Sequence, residues 1–247
     1  MIFPEWNALT IVLYSGLALM ALSSAPMEYW GPLQMQYSKF RAASGMPSRP
    51  GMVILYAVPL VVLTVLASPY LATPTEVQAV VFGAVFLHFA KRVLESLFLH
   101  RYSGPMTITT VIMVTSLYSL LTGVIGYLNR QPMPAMDGIA WVGVLLFIAG
   151  EIGNFLHHRR LAQMRQSTME YVIPRGLLFD YAICPHYFCE LVAWFGILLM
   201  ARHFALLLLF LFMVGYLTTR AVKTLRWYRQ EFPNFPADVK VLVPFVF

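Results

Sequence analysis

The chain has 247 residues, 59% of them hydrophobic and 11% charged, with a mean hydropathy of +0.69. A soluble domain carries about 25% charged residues, so the composition excludes one and describes a polytopic membrane protein. The net charge of +6 is spread between apolar stretches, which fits membrane topology and not nucleic-acid binding.

Seven apolar stretches are long enough to cross a bilayer, taking about 20 residues per helix. They run over Ala8–Ala25, Gly51–Leu71, Val77–Leu99, Met106–Leu128, Ile139–His157, Tyr187–Met200 and Phe204–Thr219. The sixth is short and is expected to begin before Tyr187. The first lacks a basic leader, so it reads as a span and not as a cleaved signal. Leu71–Pro74 and Arg202–His203 are minimal turns. Met27–Pro50 and His158–Ile183 are long, the first rich in Tyr, Gln, Gly and Pro, the second basic. No internal repeat or low-complexity segment appears, so residues 1–247 read as one domain.

Lysine and arginine orient the spans. The loops after the first, third and fifth spans, together with the tail, hold thirteen of them; the other side holds only Arg130 and Arg202. The expected topology places the N-terminus outside, and the C-terminus and both long loops in the cytosol. The membrane is that of a bacterial cell or the endoplasmic reticulum.

Polar groups within apolar surroundings mark function, because each costs several kcal/mol unless paired. In the third span, His88, Arg92 and Glu95 share a helical face, and Lys91 can pair with Glu95 four residues on. The fifth span ends in Glu151, Asn154, His157 and His158. The sixth opens on Cys184-Pro185-His186-Tyr187-Phe188-Cys189-Glu190, where a proline suits a first helical turn and His186 and Glu190 share a face. The seventh ends in Arg220, Lys223, Arg226, Tyr228 and Arg229. All these clusters fall toward the cytosolic face. Ordinary positive-inside flanking explains the bases; it does not explain the acids, the asparagine and the histidines among them. A basic funnel of this kind suits phosphates, yet the chain has no G-x-G-x-x-G and no Walker A sequence. A metal site is not indicated. The side chains of His157 and His158 diverge on a helix, no H-E-x-x-H occurs, and the two cysteines, Cys184 and Cys189, read as packing residues.

Gly176-Leu-Leu-Phe179-Asp-Tyr-Ala-Ile-Cys184-Pro-His-Tyr-Phe-Cys-Glu190-Leu-Val-Ala-Trp194 resembles the signature of the steroid 5α-reductase family, which includes trans-2-enoyl-CoA and polyprenol reductase branches. Arg226-Trp-Tyr228-Arg-Gln-Glu-Phe232-Pro-Asn-Phe235-Pro236 and Val243-Pro244-Phe245 resemble the family's tail. His88-Phe-Ala-Lys-Arg92-Val-Leu-Glu95-Ser-Leu-Phe-Leu-His-Arg101 resembles its third helix, and comes near the enoyl-CoA branch. The resemblance implies an all-α, seven-helix, NADPH-dependent reductase of a carbon–carbon double bond conjugated to a carbonyl. Residues 1–128 would lie mainly on the substrate side and 139–247 mainly on the cofactor side. The implied cofactor positions are Lys39, Arg92, Arg101, Asn154, His158 (where relatives carry Asp), Arg165, Tyr171, His186, Glu190, Arg220 and Tyr228.

The substrate end departs from the family. Aligning Ser48-Arg49-Pro50-Gly51 on the equivalent stretch puts Leu55-Tyr56 where steroid reductases carry Gln-Glu, and Phe89 replaces a tyrosine. Tyr56, Tyr187 or Glu28 then stands as candidate proton donor. The aromatic and methionine side chains of Met27–Pro50 are expected to line or cap the entrance. A 3-oxo-4-ene steroid is the leading substrate, with trans-2-enoyl-CoA or a polyprenol lipid as the alternative. No obligate protein partner is inferred. Readings from other classes are an isoprenylcysteine-type methyltransferase and a transporter or channel.

Overall fold

The structure is a computed structural model that describes residues 1–31, 35–36, 40, 43–131, 135–165 and 171–247. Its described residues form seven α-helices: α1 Ala8–Tyr29, α2 Ser48–Leu71, α3 Glu76–Leu94, α4 Ile108–Leu128, α5 Gly138–Met164, α6 Pro185–Ala201 and α7 Phe204–Glu231. A π-helical turn, Glu95–Leu99, continues α3, and a 3₁₀ turn, Leu177–Asp180, precedes α6. Among the described residues there is no strand, only isolated bridges such as Met46–Met106 and Ala182–Lys240.

Local chemistry sets the helix starts. Asn7 and Thr10 form a reciprocal capping box for α1, and Thr75 and Gln78 do the same for α3. Thr107 and Asp137 cap α4 and α5 through Thr110 N and Ala140 N. Each cap satisfies a backbone donor that the helix itself leaves orphaned. Pro185 opens α6 two residues before Tyr187, where its missing N–H and fixed φ cost nothing. Arg202, left-handed at φ 54°, makes the turn between α6 and α7.

Six helices have the length and apolar content to cross a membrane, so the protein is a multi-pass membrane protein. The remaining one, α6, has 17 residues, or about 26 Å at 1.5 Å per residue. It is the most enclosed stretch of the fold: Ala193, Trp194, Gly196 and Ile197 are all buried. Several helices outrun their apolar stretches: α1 continues through Pro26 to Tyr29, α5 to Met164 and α7 to Glu231. Glu28 therefore belongs to the last turn of α1 and not to the first loop.

The helices pack as neighbours α5–α6, α2–α4 and α1–α7, with α3 against α2 and α6. Glycine brings α5 and α6 together. A Cβ added at Gly150 would fall 2.4 Å from Ala193 N, and one at Gly196 would fall 2.4 Å from Gly143 O. Backbone contact this close needs small residues in lipid, where tight packing replaces the hydrophobic drive between helices. The C-terminal segment folds back onto the entry to α6, with Ile183 N donating to Lys240 O at 2.9 Å and Lys240 N to Tyr181 O at 2.9 Å.

Candidate active site

Two cavities meet inside the bundle. The larger, about 220 Å³, lies where α3, α5 and α7 end and α6 begins, and is polar and aromatic. The smaller, about 60 Å³, runs between α1, α2, α4 and α7 and is lined by Met20, Met35, Met52, Met106, Met213 and other apolar groups. The two share the walls Met52, Tyr56, Tyr118, Glu190, Tyr216 and Leu217.

The π turn shapes the larger cavity. His100 N bonds Glu95 O at 2.8 Å, a wider loop than an α-helix closes. Glu95 and Ser96 turn inward, and His100, Arg101 and Tyr102 reach the cavity wall. Burial first, and then the Arg92 guanidinium nearby, pushes His100 down to about 2, so it is neutral at physiological pH. Burial also raises the Tyr102 hydroxyl. On the opposite wall, Gly176 adopts φ 85°, a conformation side chains resist. The turn it permits sends Phe179 into the cavity and leads to Ile183, Cys184 and His186, which line it.

A buried polar network backs this wall. Arg92 donates from Nη2 to the Tyr56 hydroxyl oxygen at 2.7 Å. Its Nη1 meets Glu95 and His158, and His158 Nδ1 lies 3.0 Å from Glu95 Oε2. Lys91 bridges Glu151 Oε2 at 2.8 Å and Asn154 Oδ1 at 2.8 Å. Glu151 also holds His88 at 2.6 Å, and Asn154 Nδ2 donates to His186 O at 3.0 Å. A charge this deep survives only when paired and hydrogen-bonded, and here acids and bases alternate. Glu95, His100 and His158 bring ligand atoms within 4.8 Å of one another, but the Arg92 guanidinium is already the cation of that cluster.

Most residues singled out in the sequence come together here. Arg92, Arg101, His158, Arg165, Tyr171, His186, Glu190, Arg220 and Tyr228 all line the larger cavity, as do Tyr56 and Tyr187. Arg165 donates to Arg101 O at 2.8 Å and lies 4.6 Å over the Tyr171 ring, so two arginines share the rim. Two others stand apart. Asn154 lines neither cavity and acts on the His186 carbonyl. Glu28 lines neither and is buried against Arg220 at 3.1 Å and Lys223 at 3.2 Å, as counter-ion of α7. Lys39 lies outside the described residues, as does Tyr37 of the first loop; Met35 of that loop reaches the smaller cavity, and Phe40 the larger. His157 turns away to Gly153 O at 2.6 Å. Sequence reasoning missed Tyr118 and Tyr216 at the shared wall, each set within an apolar run of its helix.

The arrangement defines a class: a membrane-embedded site in which a basic, aromatic cavity opens onto an apolar one across a wall of tyrosines. The chain belongs to the 3-oxo-5-alpha-steroid 4-dehydrogenase family, an oxidoreductase family whose profile matches residues 104–247. It is 32% identical over 174 residues to a very-long-chain enoyl-CoA reductase of Dictyostelium discoideum, covering 68% of this chain and 58% of that one. It is 36% identical over 120 residues to polyprenal reductase 2 of Oryza sativa subsp. japonica, covering 47% of this chain and 34% of that one. An uncharacterized protein of Schizosaccharomyces pombe is 32% identical over 193 residues, with 68% of each chain covered. The chain thus spans about a third to two thirds of the relatives it matches. Membership favours the reductase reading over the methyltransferase and transporter readings.

Proposed function

We propose that the protein reduces the carbon–carbon double bond of an α,β-unsaturated carbonyl lipid, using NADPH. The observation that carries this reading is the shared wall: Tyr56, Tyr118, Glu190 and Tyr216 face both a basic cavity and an apolar one. The donor set of the larger cavity suits a nicotinamide dinucleotide. Arg101 and Arg165 at its rim match phosphates, Tyr171 and Tyr228 offer ring faces, and His186 and Glu190 offer polar contacts deeper in. When bound, NADPH supplies a hydride to the β-carbon of the substrate. Negative charge then develops on the carbonyl oxygen, and a donor placed there in a water-poor site lowers the barrier. Tyr56 is that donor, since it stands at the shared wall where the family's Gln-Glu pair is replaced. Tyr56 gives its proton to that oxygen as the charge develops; the resulting enol then takes a solvent proton at the α-carbon and its O–H proton returns to Tyr56, leaving the saturated carbonyl compound.

The smaller cavity takes the apolar body of the substrate. A steroid follows from the family's description; an enoyl thioester or polyprenal follows equally from the names of the relatives. In this reading all seven helices cross the membrane, with the N-terminus outside and the C-terminus and the basic mouth in the cytosol. The thirteen-to-two bias of Lys and Arg supports that orientation.

The test is NADPH oxidation by the purified protein in detergent with a 3-oxo-4-ene steroid, a trans-2-enoyl-CoA and a polyprenal in parallel. Turnover of any one establishes the reductase and names the substrate branch. Tyr56→Phe should then lower kcat by about 10²-fold or more while the protein still binds NADPH. Neither binding nor oxidation of NADPH with any of the three overturns the reading.

A further inference from the structure

We infer that Arg92 is the positioning residue of the Tyr56 proton donor, holding the hydroxyl for the reaction and stabilising the charge that proton transfer leaves on it. The inference rests on the reductase reading above, and it gives Arg92 a role beyond the cofactor contact that family resemblance implies.

The geometry separates the two ends of the guanidinium. Nη2 donates to the Tyr56 oxygen at 2.7 Å, and the guanidinium carbon lies 4.8 Å from the centre of the Tyr56 ring. Nη1 is taken by Glu95 and His158. Arg92 and Glu95 are 6% and 3% exposed, so this is a locked assembly and not a surface pair. An oxygen that accepts from a guanidinium gives its own proton outward, and the cation beside it offsets the negative charge that results. Tyr56 is also held flat: its ring stacks on Tyr118 at 5.7 Å and leans on Phe89 at 6.4 Å.

The charged and titratable groups that face this pair come from every neighbouring element. They are Glu95 from the π turn, His158 from α5, Tyr118 from α4, Glu190 from α6 and Tyr216 from α7. Glu95 has a clear part, keeping a full counter-charge on the side of Arg92 away from the reaction. The same spacing that puts Arg92 and Glu95 three apart in the sequence thus links a π turn to a tyrosine on another helix.

The experiment is a double-mutant cycle on Arg92→Lys and Tyr56→Phe, read as single-turnover hydride transfer and, separately, as NADPH affinity by fluorescence. Lysine keeps the charge but loses the fork that reaches Tyr56 and Glu95 together. The expected result for R92K is a slowing of single turnover by tenfold or more with NADPH Kd within about twofold, and no further loss in R92K/Y56F beyond Y56F alone. A tenfold weaker NADPH Kd with unchanged turnover at saturation, or losses that multiply in the double variant, overturns the inference. If R92K does not fold, Glu95→Gln replaces it in the same cycle, with the same two criteria. A wild-type protein that oxidises no NADPH would instead overturn the reductase reading, so the two failures are told apart before any variant is made.

Discussion

At the end of the bundle where α3 gives way to the π turn, His88, Lys91, Arg92, Glu95, Glu151, Asn154 and His158 interlock between α3 and α5, nearly all of them buried. At the other end, Asp137 at the start of α5 pairs with Arg202 at the end of α6, and the Asp137 side chain is 48% exposed. Both ends hold acid–base contacts of ordinary length or less. What differs is water. In the exposed pair, solvent screens the attraction and already satisfies both partners, so the contact adds little. In the buried network no solvent stands in when a partner is removed, and the cost falls on whatever charge is left behind. A polar group is costly in proportion to how hard it is to replace, and that end of the bundle is the one that also lines the larger cavity.

Breaking the comparison at its buried side gives the largest effect. Lys91→Met leaves Glu151 with His88 alone and removes the donor of Asn154, so unfolding in detergent should fall by about 3–5 kcal/mol. Lys91→Met combined with Glu151→Gln should cost less than the two singly, because the second change removes the charge the first stranded. Equal or additive losses would mean that the network is no more coupled than a surface pair. Asn154 is the link to function. Once it lets go of the His186 carbonyl, the NADPH affinity that the proposed function requires should fall with stability.

The next effect concerns how α5, one of the helices carrying that network, is held against α6. Gly150→Ala puts a Cβ 2.4 Å from Ala193 N and 2.6 Å from Cys189 O, both backbone atoms that cannot swing aside. Parting α5 from α6 should cost about 1–3 kcal/mol. Gly83→Ala on α3 meets nothing within 4 Å, and should be neutral or stabilising by up to about 1 kcal/mol, as alanine is the better helix former. A thermal unfolding series on the two variants checks both signs at once.

These contacts mark where the sequence could and could not be read. The seven helices were legible because each is an uninterrupted apolar run, and the side chains of the α3 and α5 clusters were legible because charge in such a run is conspicuous. The pairings were not. Spacing puts Lys91 within reach of Glu95, which it meets at 3.7 Å, but its shorter contacts, to Glu151 and Asn154, cross to another helix. Helical period says nothing of which helix lies opposite. The π turn was hidden for a related reason: Glu95–Leu99 carries no proline or glycine to mark a change of winding. Glu28 was misplaced because Pro26 reads as a helix end, whereas α1 runs through it. Tyr118 and Tyr216 are the clearest case. Set among apolar neighbours they look like packing, and only the meeting of two cavities gives them another meaning.

The last comparison separates the two ends by pH. His100, beside the buried network, is held neutral well below its ordinary value of 6.5 by burial first and by Arg92 and His158 second. The unfolded chain takes up a proton there below pH 6.5 and the folded one does not, so stability falls as pH falls through that range, by roughly 1.4 kcal/mol per pH unit for one such group. Asp137 is shifted in the same direction and its contribution is likewise lost in acid, but from a lower starting value: the hydrogen bond from Arg202 holds its carboxyl below the usual 3.8. What that bond contributes is in place above pH 3.8 and is lost only as pH falls through the lowered value. Between pH 6.5 and 4 only the His100 shift acts. His100→Gln should therefore flatten the acid slope of unfolding between about pH 6.5 and 4, whereas Asp137→Asn, which keeps a side chain able to cap α5, should leave the slope in that window unchanged and flatten it only below about pH 3.8. A slope between pH 6.5 and 4 that D137N changes and H100Q does not would reverse the contrast, placing the pH-sensitive charge at the exposed end of the bundle.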